Sequence, residues 1–151
     1  MTATELNFDT GIKEFRINGA ATVRFNPTDT AFVERLYGAF TDLEKNQDEY
    51  QRRIDEIGDD GEKLFEYANE RDAEMRAIID NLLGEGVADA LFVNMNCYAL
   101  SDGLPIWLNL MFVIAETIEK AFTTEQKKSD PRLKKFSKKY DGMMAKYKRK
   151  K

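Results

Sequence analysis

Near the N-terminus, hydrophobic and polar positions alternate before the pattern changes to that of helices. Phe15 and Ile17 alternate with charged residues, and a second alternating run covers residues 22–25. A period of two is typical of strands with one buried face. Asn18-Gly19, between the two runs, supplies the positive φ angles that a tight hairpin turn requires. The pattern therefore predicts a small β-hairpin over about residues 12–26.

After this hairpin, apolar residues recur at spacings of three and four, which predicts two long amphipathic helices. Thr28 or Asp29 can cap the first helix, and the glycines of residues 58–61 end it. The second helix ends at Gly84-Glu-Gly86. The break between the helices is short, so we expect them to form an antiparallel pair. The first helix begins with an aromatic-rich stripe formed by Phe32, Val33, Leu36, Tyr37, Phe40 and Leu43.

Two further helices are predicted in the next forty residues. The first is short and spans about Val87–Met95, and Ser101-Asp102-Gly103 follows it as a turn. Pro105 suits the first turn of the last helix, which extends to about Thr123. This helix is apolar nearly all round, as is typical of a central core element or a subunit interface. Its apolar residues are Ile106, Trp107, Leu110, Met111, Phe112, Val113, Ile114 and Ile118.

Charge divides the chain into an acidic body and a basic tail. Residues 1–126 hold 11 basic and 25 acidic residues, a net charge of −14, whereas residues 127–151 hold 12 basic and 2 acidic residues, a net charge of +10. The tail carries apolar residues at helical spacing among its lysines, which predicts a basic amphipathic helix. The fold class that we expect is mainly α with a small N-terminal β-hairpin (α+β). One helical domain of about four helices, residues 1–126, precedes the tail.

The residue types argue against catalysis and metal binding. The chain of 151 residues has no histidine, so it lacks the commonest general base and the commonest metal ligand. Cys97 has no histidine to activate it and is predicted to be a small buried hydrophobic residue. The acidic loop Asp55–Glu62 does not have the ligand spacing of an EF-hand, and Gly84-Glu-Gly86 lacks the third glycine of a dinucleotide fingerprint. We therefore expect no enzyme, no cofactor and no metal.

Composition and charge also restrict the partners. Met1–Asp9 has neither the basic start nor the apolar centre of a signal peptide, and the apolar run Leu104–Ala115 is too short to span a bilayer. An acidic body would repel a phosphate backbone, so we expect no nucleic acid. The composition of the tail is compatible with binding to an anionic membrane, but no other part of the sequence supports membrane binding, so we expect none. The prediction is a cytoplasmic protein with a protein partner. The tail can instead lie against the acidic body of the chain itself.

Several short runs carry a family resemblance over about Asn7 to Arg132. They are Phe15-Arg-Ile-Asn-Gly, Val23-Arg-Phe-Asn-Pro-Thr-Asp, Phe32-Val-Glu-Arg-Leu, Ala90-Leu-Phe and Tyr98-Ala-Leu-Ser-Asp-Gly-Leu-Pro105 followed by Trp107. With these runs the chain resembles small proteins encoded in the tail modules of siphophages and prophages of Firmicutes, the tail assembly chaperones. The resemblance implies a small, mostly helical, non-enzymatic protein that acts without nucleotide. Such proteins coat the tape measure protein, help to recruit the major tail protein, and are absent from the finished virion.

The family offers no binding motif to transfer residue by residue, so the candidate surface comes from the pattern. We expect the client to contact the first long helix and the helix after Pro105, with the tail as an electrostatic tether to the client or to a neighbouring subunit. For the aromatic stripe, ordinary core is the more frequent role. The candidate residues are Phe32, Leu36, Tyr37, Phe40, Trp107, Met111, Lys134, Lys135, Lys138 and Lys139.

Two other functions are compatible with the same pattern. One is a structural or adaptor protein of the phage tail or neck, which would be present in purified virions. The other is a regulatory protein that binds an acidic partner through its basic tail. A homo-oligomer is also possible, because a nearly all-apolar helix in a small domain favours self-association.

Overall fold

The chain begins with a β-hairpin and continues as four helices, with a second, very small hairpin before the last helix. The computed structural model describes residues 2–128 and Ala145. The basic helix expected beyond Lys128 lies outside the described residues. The fold is mainly α with a small N-terminal hairpin, as the sequence predicts. The elements are β1 (Lys13–Ile17), β2 (Ala21–Phe25), α1 (Thr30–Ile57), α2 (Gly61–Leu83), α3 (Val87–Leu91), β3 (Leu100–Ser101), β4 (Leu104–Pro105) and α4 (Ile106–Lys127).

The first hairpin confirms both the predicted strands and the predicted turn. β1 and β2 pair in an antiparallel manner, with Ile17 opposite Ala21. Asn18 and Gly19 have φ angles of 53° and 65°, and the Ala20 N–H closes the turn by donating to the Ile17 carbonyl at 2.9 Å. The alternating side chains of β2 point into the protein, where Ala21 is buried together with two larger apolar residues of the same strand.

Aromatic rings join this hairpin to the first long helix. The Phe25 ring stacks between Phe15 and Phe32, with ring centroids 4.7 and 4.3 Å apart. Of the two predicted caps, Asp29 is the one that caps α1, because its carboxylate accepts the Ala31 N–H at 3.0 Å. The hairpin is therefore held where α1 begins.

α1 and α2 form the predicted antiparallel pair. Gly58 ends α1 with a φ of 65°, a conformation that favours glycine. Across the pair, Arg53 lies over the Tyr67 ring at 5.2 Å, and Arg71 lies over the Tyr50 ring at 4.2 Å. Residues earlier in α1 thus meet residues later in α2, which is the geometry of a helical hairpin.

The core lies between the first hairpin, the start of α1, the second half of α2 and one face of α4. The buried residues include Val23, Phe25, Phe32, Leu36, Met75, Ile79, Ala88, Cys97, Trp107, Leu110, Met111, Ile114 and Ile118. The expectation of a helix surrounded by core is corrected for α4, because its opposite face is exposed at Phe112 and Val113. In the described part of the chain, no helix is long and apolar enough to cross a membrane.

The structure differs from the sequence-based expectation in α3, in the turn that follows it and in α4. α3 ends at Leu91 instead of Met95, because the backbone leaves the helical conformation at Phe92, with φ −115° and ψ 53°, and Asn94 has a positive φ of 55°. Asp102 and Gly103, with φ angles of 53° and 79°, form the turn of a β3–β4 hairpin whose two-residue strands are too short to show a period. Pro105 precedes α4 as its cap residue, and the helix continues to Lys127.

Candidate protein-binding site

Four of the residues proposed for client binding lie in the protein's own core. Phe32, Leu36, Trp107 and Met111 are at most 5% exposed and belong to one cluster of buried apolar side chains. The surface role proposed for them is corrected, because the neighbouring elements already cover these side chains. For Phe32 and Leu36, the alternative of ordinary core is the one that the burial supports.

The other two apolar candidates, on α1, lie nearer the surface. Tyr37 is exposed, and Phe40 is half-buried. The Phe40 ring stacks loosely against Phe112 of α4, with ring centroids 6.3 Å apart. This contact brings the outer side of α1 next to the exposed side of α4. Lys134, Lys135, Lys138 and Lys139 lie outside the described residues.

The main exposed apolar surface of α4 lies on the face that the sequence-based selection missed. Phe112 is 45% exposed and Val113 is 55% exposed. Trp107 and Met111 start a stripe that continues through Ile118, whereas the stripe of Phe112 and Val113 stops at Glu116. A full-length stripe covers more apolar area and is buried preferentially. Comparing the lengths of the two stripes is the signal that would have identified the exposed face.

Val113 also lines a groove that runs between α4, the end of α3 and the turn of the first hairpin. We call this feature, with a volume of about 360 Å³, the apolar groove. None of its lining residues is charged, so a client would meet apolar surface with a few hydrogen-bonding groups. The lining residues are Ile17, Asn18, Leu91, Phe92, Met95, Ser101, Ile106, Asn109, Leu110 and Val113.

One guanidinium group of α2 holds the wall of the groove that follows α3. Arg76 donates from Nε to Asp72 and from Nη1 to Asp89, both at 2.9 Å. Its Nη2 donates to the carbonyl oxygens of Phe92 at 2.8 Å and of Met95. Phe92 and Met95 line the groove, so Arg76 fixes the backbone that presents them.

The Asp72 carboxylate extends this network to Cys97. Asp72 Oδ1 accepts the Cys97 N–H at 2.8 Å, and the Cys97 thiol lies 3.9 Å from the Asp72 carbonyl oxygen. Burial would raise the pKa of Asp72, but the hydrogen bonds from Cys97 and Arg76 outweigh it and lower that pKa below its usual value. Burial, with Asp72 nearby, raises the pKa of the Cys97 thiol to about 12. Cys97 is therefore a buried neutral thiol, as predicted, and is no nucleophile.

The start of α3 is fastened to the same side of α2. Asp80, one turn after Arg76, accepts the Ala88 N–H at 2.8 Å and the Gly86 N–H at 3.1 Å. A carboxylate at this position satisfies N–H groups that a short helix leaves without intrahelical partners. α2 therefore positions both ends of the segment that forms this wall.

Stacked side chains support the segment that leads into the β3–β4 hairpin. The Arg71 guanidinium lies between the rings of Tyr50 and Tyr98, 4.2 Å from each centroid. Tyr98 also meets the Trp107 ring edge-on at 5.9 Å. Burial raises the pKa of Tyr98 to about 12, so its hydroxyl is neutral near pH 7. These contacts tie the segment to α1, α2 and α4 together.

The described residues contain no cluster of three or more acidic or cysteine side chains that could hold a metal ion. Comparison of the chain with family models, curated proteins and solved structures gave no match. The resemblance to tail assembly chaperones therefore stays an expectation based on the short sequence runs. The exposed apolar surface of α4 and its groove are the strongest candidate site on the described residues.

Proposed function

We propose that the protein is a tail assembly chaperone that holds an apolar helical segment of the tape measure protein. The binding surface is the apolar groove together with Phe112 and Val113, which we call the client face. A contiguous exposed apolar surface on a small protein is typical of a protein-interaction site. The proposal combines this surface with the resemblance carried by the short sequence runs.

The single observation that carries the proposal is the exposure of two consecutive large apolar residues, Phe112 and Val113, on α4. Phe112 contacts Phe40 on α1, and Val113 lines the apolar groove. These two neighbouring residues therefore connect the surface beside α1 with the groove. Such a wide, shallow surface can make many contacts that are individually weak. This suits a client that has to be released when the tail tube polymerises.

Charge on the rest of the protein keeps a complex with an apolar client soluble. The body carries a net charge of −14, and the groove itself has no charged lining residue. We propose that the basic tail acts as an electrostatic tether to the client or to a neighbouring subunit. Deleting residues 132–151 would then weaken client binding, and the loss would be greatest at low salt.

The proposed function extends to the major tail protein, which the complex would help to recruit. The protein would act in the cytoplasm of the bacterial host and leave before the particle is complete. Its action needs no catalytic group and no cofactor, because binding and release of apolar surface are sufficient. Detection of the chain in purified virions would contradict this proposal and favour a structural or adaptor protein of the tail or neck.

The decisive experiment is co-expression with the tape measure protein of the same gene cluster, followed by solubility and pull-down assays. Phe112→Asp and Val113→Asp place a charge on the client face at two side chains that do not belong to the buried core cluster. Phe65→Asp is the matched control, because Phe65 is 74% exposed on α2 and does not line the groove. We expect the wild type and the control to keep the client soluble and the two other variants to lose it.

The same experiment can contradict the proposal in two ways. A tape measure protein that stays insoluble and unbound with the wild type would remove the chaperone function. Full solubilisation by both client-face variants would place client binding elsewhere on the chain. Circular dichroism of each purified variant shows whether a loss of binding reflects a loss of fold.

A further inference from the structure

The N-terminal arm, residues 2–9, presents the most exposed large apolar side chains of the described chain. Leu6 is 85% exposed and Phe8 is 84% exposed, and the arm belongs to no helix or strand. In a strand, residues two apart point to the same side, so Leu6 and Phe8 would form a pair of anchors about 7 Å apart once the arm binds as a strand. Uncovered side chains of this size are typical of a segment that binds elsewhere.

The base of the arm is fixed by specific bonds. Asn26 Nδ2 donates to the Thr10 carbonyl oxygen at 2.9 Å, and the Gly11 N–H donates to Asp9 Oδ1 at 2.8 Å. Gly11 has a φ of 73°, and a Cβ atom there would lie 2.7 Å from Asn26 Nδ2. Only glycine combines this backbone angle with so close a neighbour, so the arm leaves the body in a defined direction.

The arm leaves the end of the hairpin that is remote from the apolar groove. The groove is lined by Ile17, at the far end of β1 from Thr10. The five residues of β1 span about 13 Å, whereas the two residues from Thr10 to Phe8 span at most about 7 Å. In the structure neither Leu6 nor Phe8 lines the groove of its own chain, and both side chains are more than four-fifths exposed.

The groove has the chemistry that an extended apolar segment requires. Its walls are mainly apolar, with Val113 and Met95 exposed at the surface. Asn109 donates through Nδ2 to the Ser101 carbonyl oxygen at 3.4 Å, which leaves its own amide oxygen able to accept a backbone N–H. Asn18, on the opposite side, adds a second amide. Such groups provide for the backbone of a bound strand while the walls take its side chains.

We propose that the arm of one copy docks in the apolar groove of a second copy, with Leu6 and Phe8 as the anchors. The occupant is a second copy because the arm and the groove lie on one chain, match in chemistry and do not contact each other within that chain. Reciprocal exchange of two arms forms a closed pair in which each arm covers the groove of the other copy, so that arm and client compete for this surface. The inference concerns self-association and does not require the client to be identified.

The first test is the molar mass of the full-length protein, measured by light scattering during size-exclusion chromatography over a range of concentrations. The wild type is expected to self-associate. Phe8→Asp and Val113→Asp, both at exposed positions, are each expected to weaken association by at least about 30-fold, as for an anchor residue of an interface. Phe65→Asp is the control and should associate like the wild type.

Two results would overturn the proposal. One is a wild-type protein that stays monomeric up to about 100 μM, a weaker association than specific interfaces show. The other is a wild-type oligomer that neither variant weakens, which would place the interface elsewhere. These measurements contain no tape measure protein, so a negative result would contradict self-association without contradicting the chaperone proposal. Likewise, a failure to solubilise the tape measure protein would leave the self-association proposal standing.

A crosslinking experiment tests the contact itself. Copies carrying Phe8→Cys are mixed with copies carrying Val113→Cys and then oxidised, while the native Cys97 stays buried. A disulfide between the two different copies is expected. Replacing Val113→Cys by Phe65→Cys, an exposed position outside the groove, should abolish it. Equal crosslinking to both positions would show random collision and overturn the docking.

Discussion

Replacing Arg76 by leucine tests how the wall of the apolar groove is held. Leucine keeps part of the apolar stem but removes the charge and every hydrogen bond of the guanidinium group. The variant loses the bonds to Asp72 and Asp89 and to the carbonyl oxygens of Phe92 and Met95. We expect a less stable protein with a loosened segment after α3.

The size of the effect follows from the exposure of each partner. The side chains of Arg76 and Asp72 are 19% and 20% exposed, so their bond is partly shielded from water, whereas Asp89 is 78% exposed and contributes little. A hydrogen bond to a charged group contributes about 1.5–3 kcal/mol. Water can reach the freed carbonyl groups and offset part of the loss. We therefore expect the free energy of unfolding to fall by about 3 kcal/mol.

Urea denaturation followed by circular dichroism measures this change. With a slope of about 2 kcal/mol per molar urea, the midpoint should fall by about 1.5 M. Arg52→Leu is a matched control, because Arg52 also bonds to two carboxylates, at 2.6 and 2.9 Å, but its side chain is 60% exposed. The control should unfold like the wild type, since exposed ion pairs contribute little.

The pH dependence gives an independent check. In the folded protein the pKa of Asp72 is lowered, so its contribution to stability is complete above the unfolded pKa of about 4 and is lost as pH falls through the folded pKa. Arg76→Leu removes one cause of that lowering, so the gap between variant and wild type should narrow below about pH 4. Equal stability of variant and wild type at pH 7, or equal loss in both arginine variants, would refute the reasoning.

Three further predictions concern individual side chains. Because the pKa of Cys97 is raised from 9.0 to about 12, the thiol should react with thiol reagents at pH 8 about a thousandfold more slowly in the folded protein than after unfolding. The rate is measured from the absorbance of the thiolate that a disulfide reagent releases. Gly11→Ala should displace the Asn26 side chain and so speed proteolysis of the N-terminal arm, which mass spectrometry can follow. An unchanged cleavage rate would contradict the close approach of Gly11 to Asn26. Ile79→Ala, at a fully buried position, should lower the free energy of unfolding by about 2–5 kcal/mol in urea titrations; a loss below 1 kcal/mol would contradict the packing described.

The sequence determined the first hairpin and the two long helices of this protein because their causes are local. A period of two with Asn18-Gly19 specifies the first hairpin, and helical spacing broken by Gly58 specifies the antiparallel pair. The burial of Cys97 agrees with the general tendency of an unactivated free cysteine to be a small buried hydrophobic residue. Each of these features depends on residues that are close together along the chain.

Only the tertiary structure decided how completely each face of α4 is covered and where α3 ends. Trp107 and Phe112 are comparably apolar in sequence, and their exposure depends on which side of the helix meets the hairpin and α2. α3 stops early, and the carbonyls of Phe92 and Met95 beyond its end are held by Arg76, more than a dozen residues upstream. The candidate groove likewise arises from segments far apart in the chain. Periodicity records that a side chain is apolar, whereas burial depends on what packs against it.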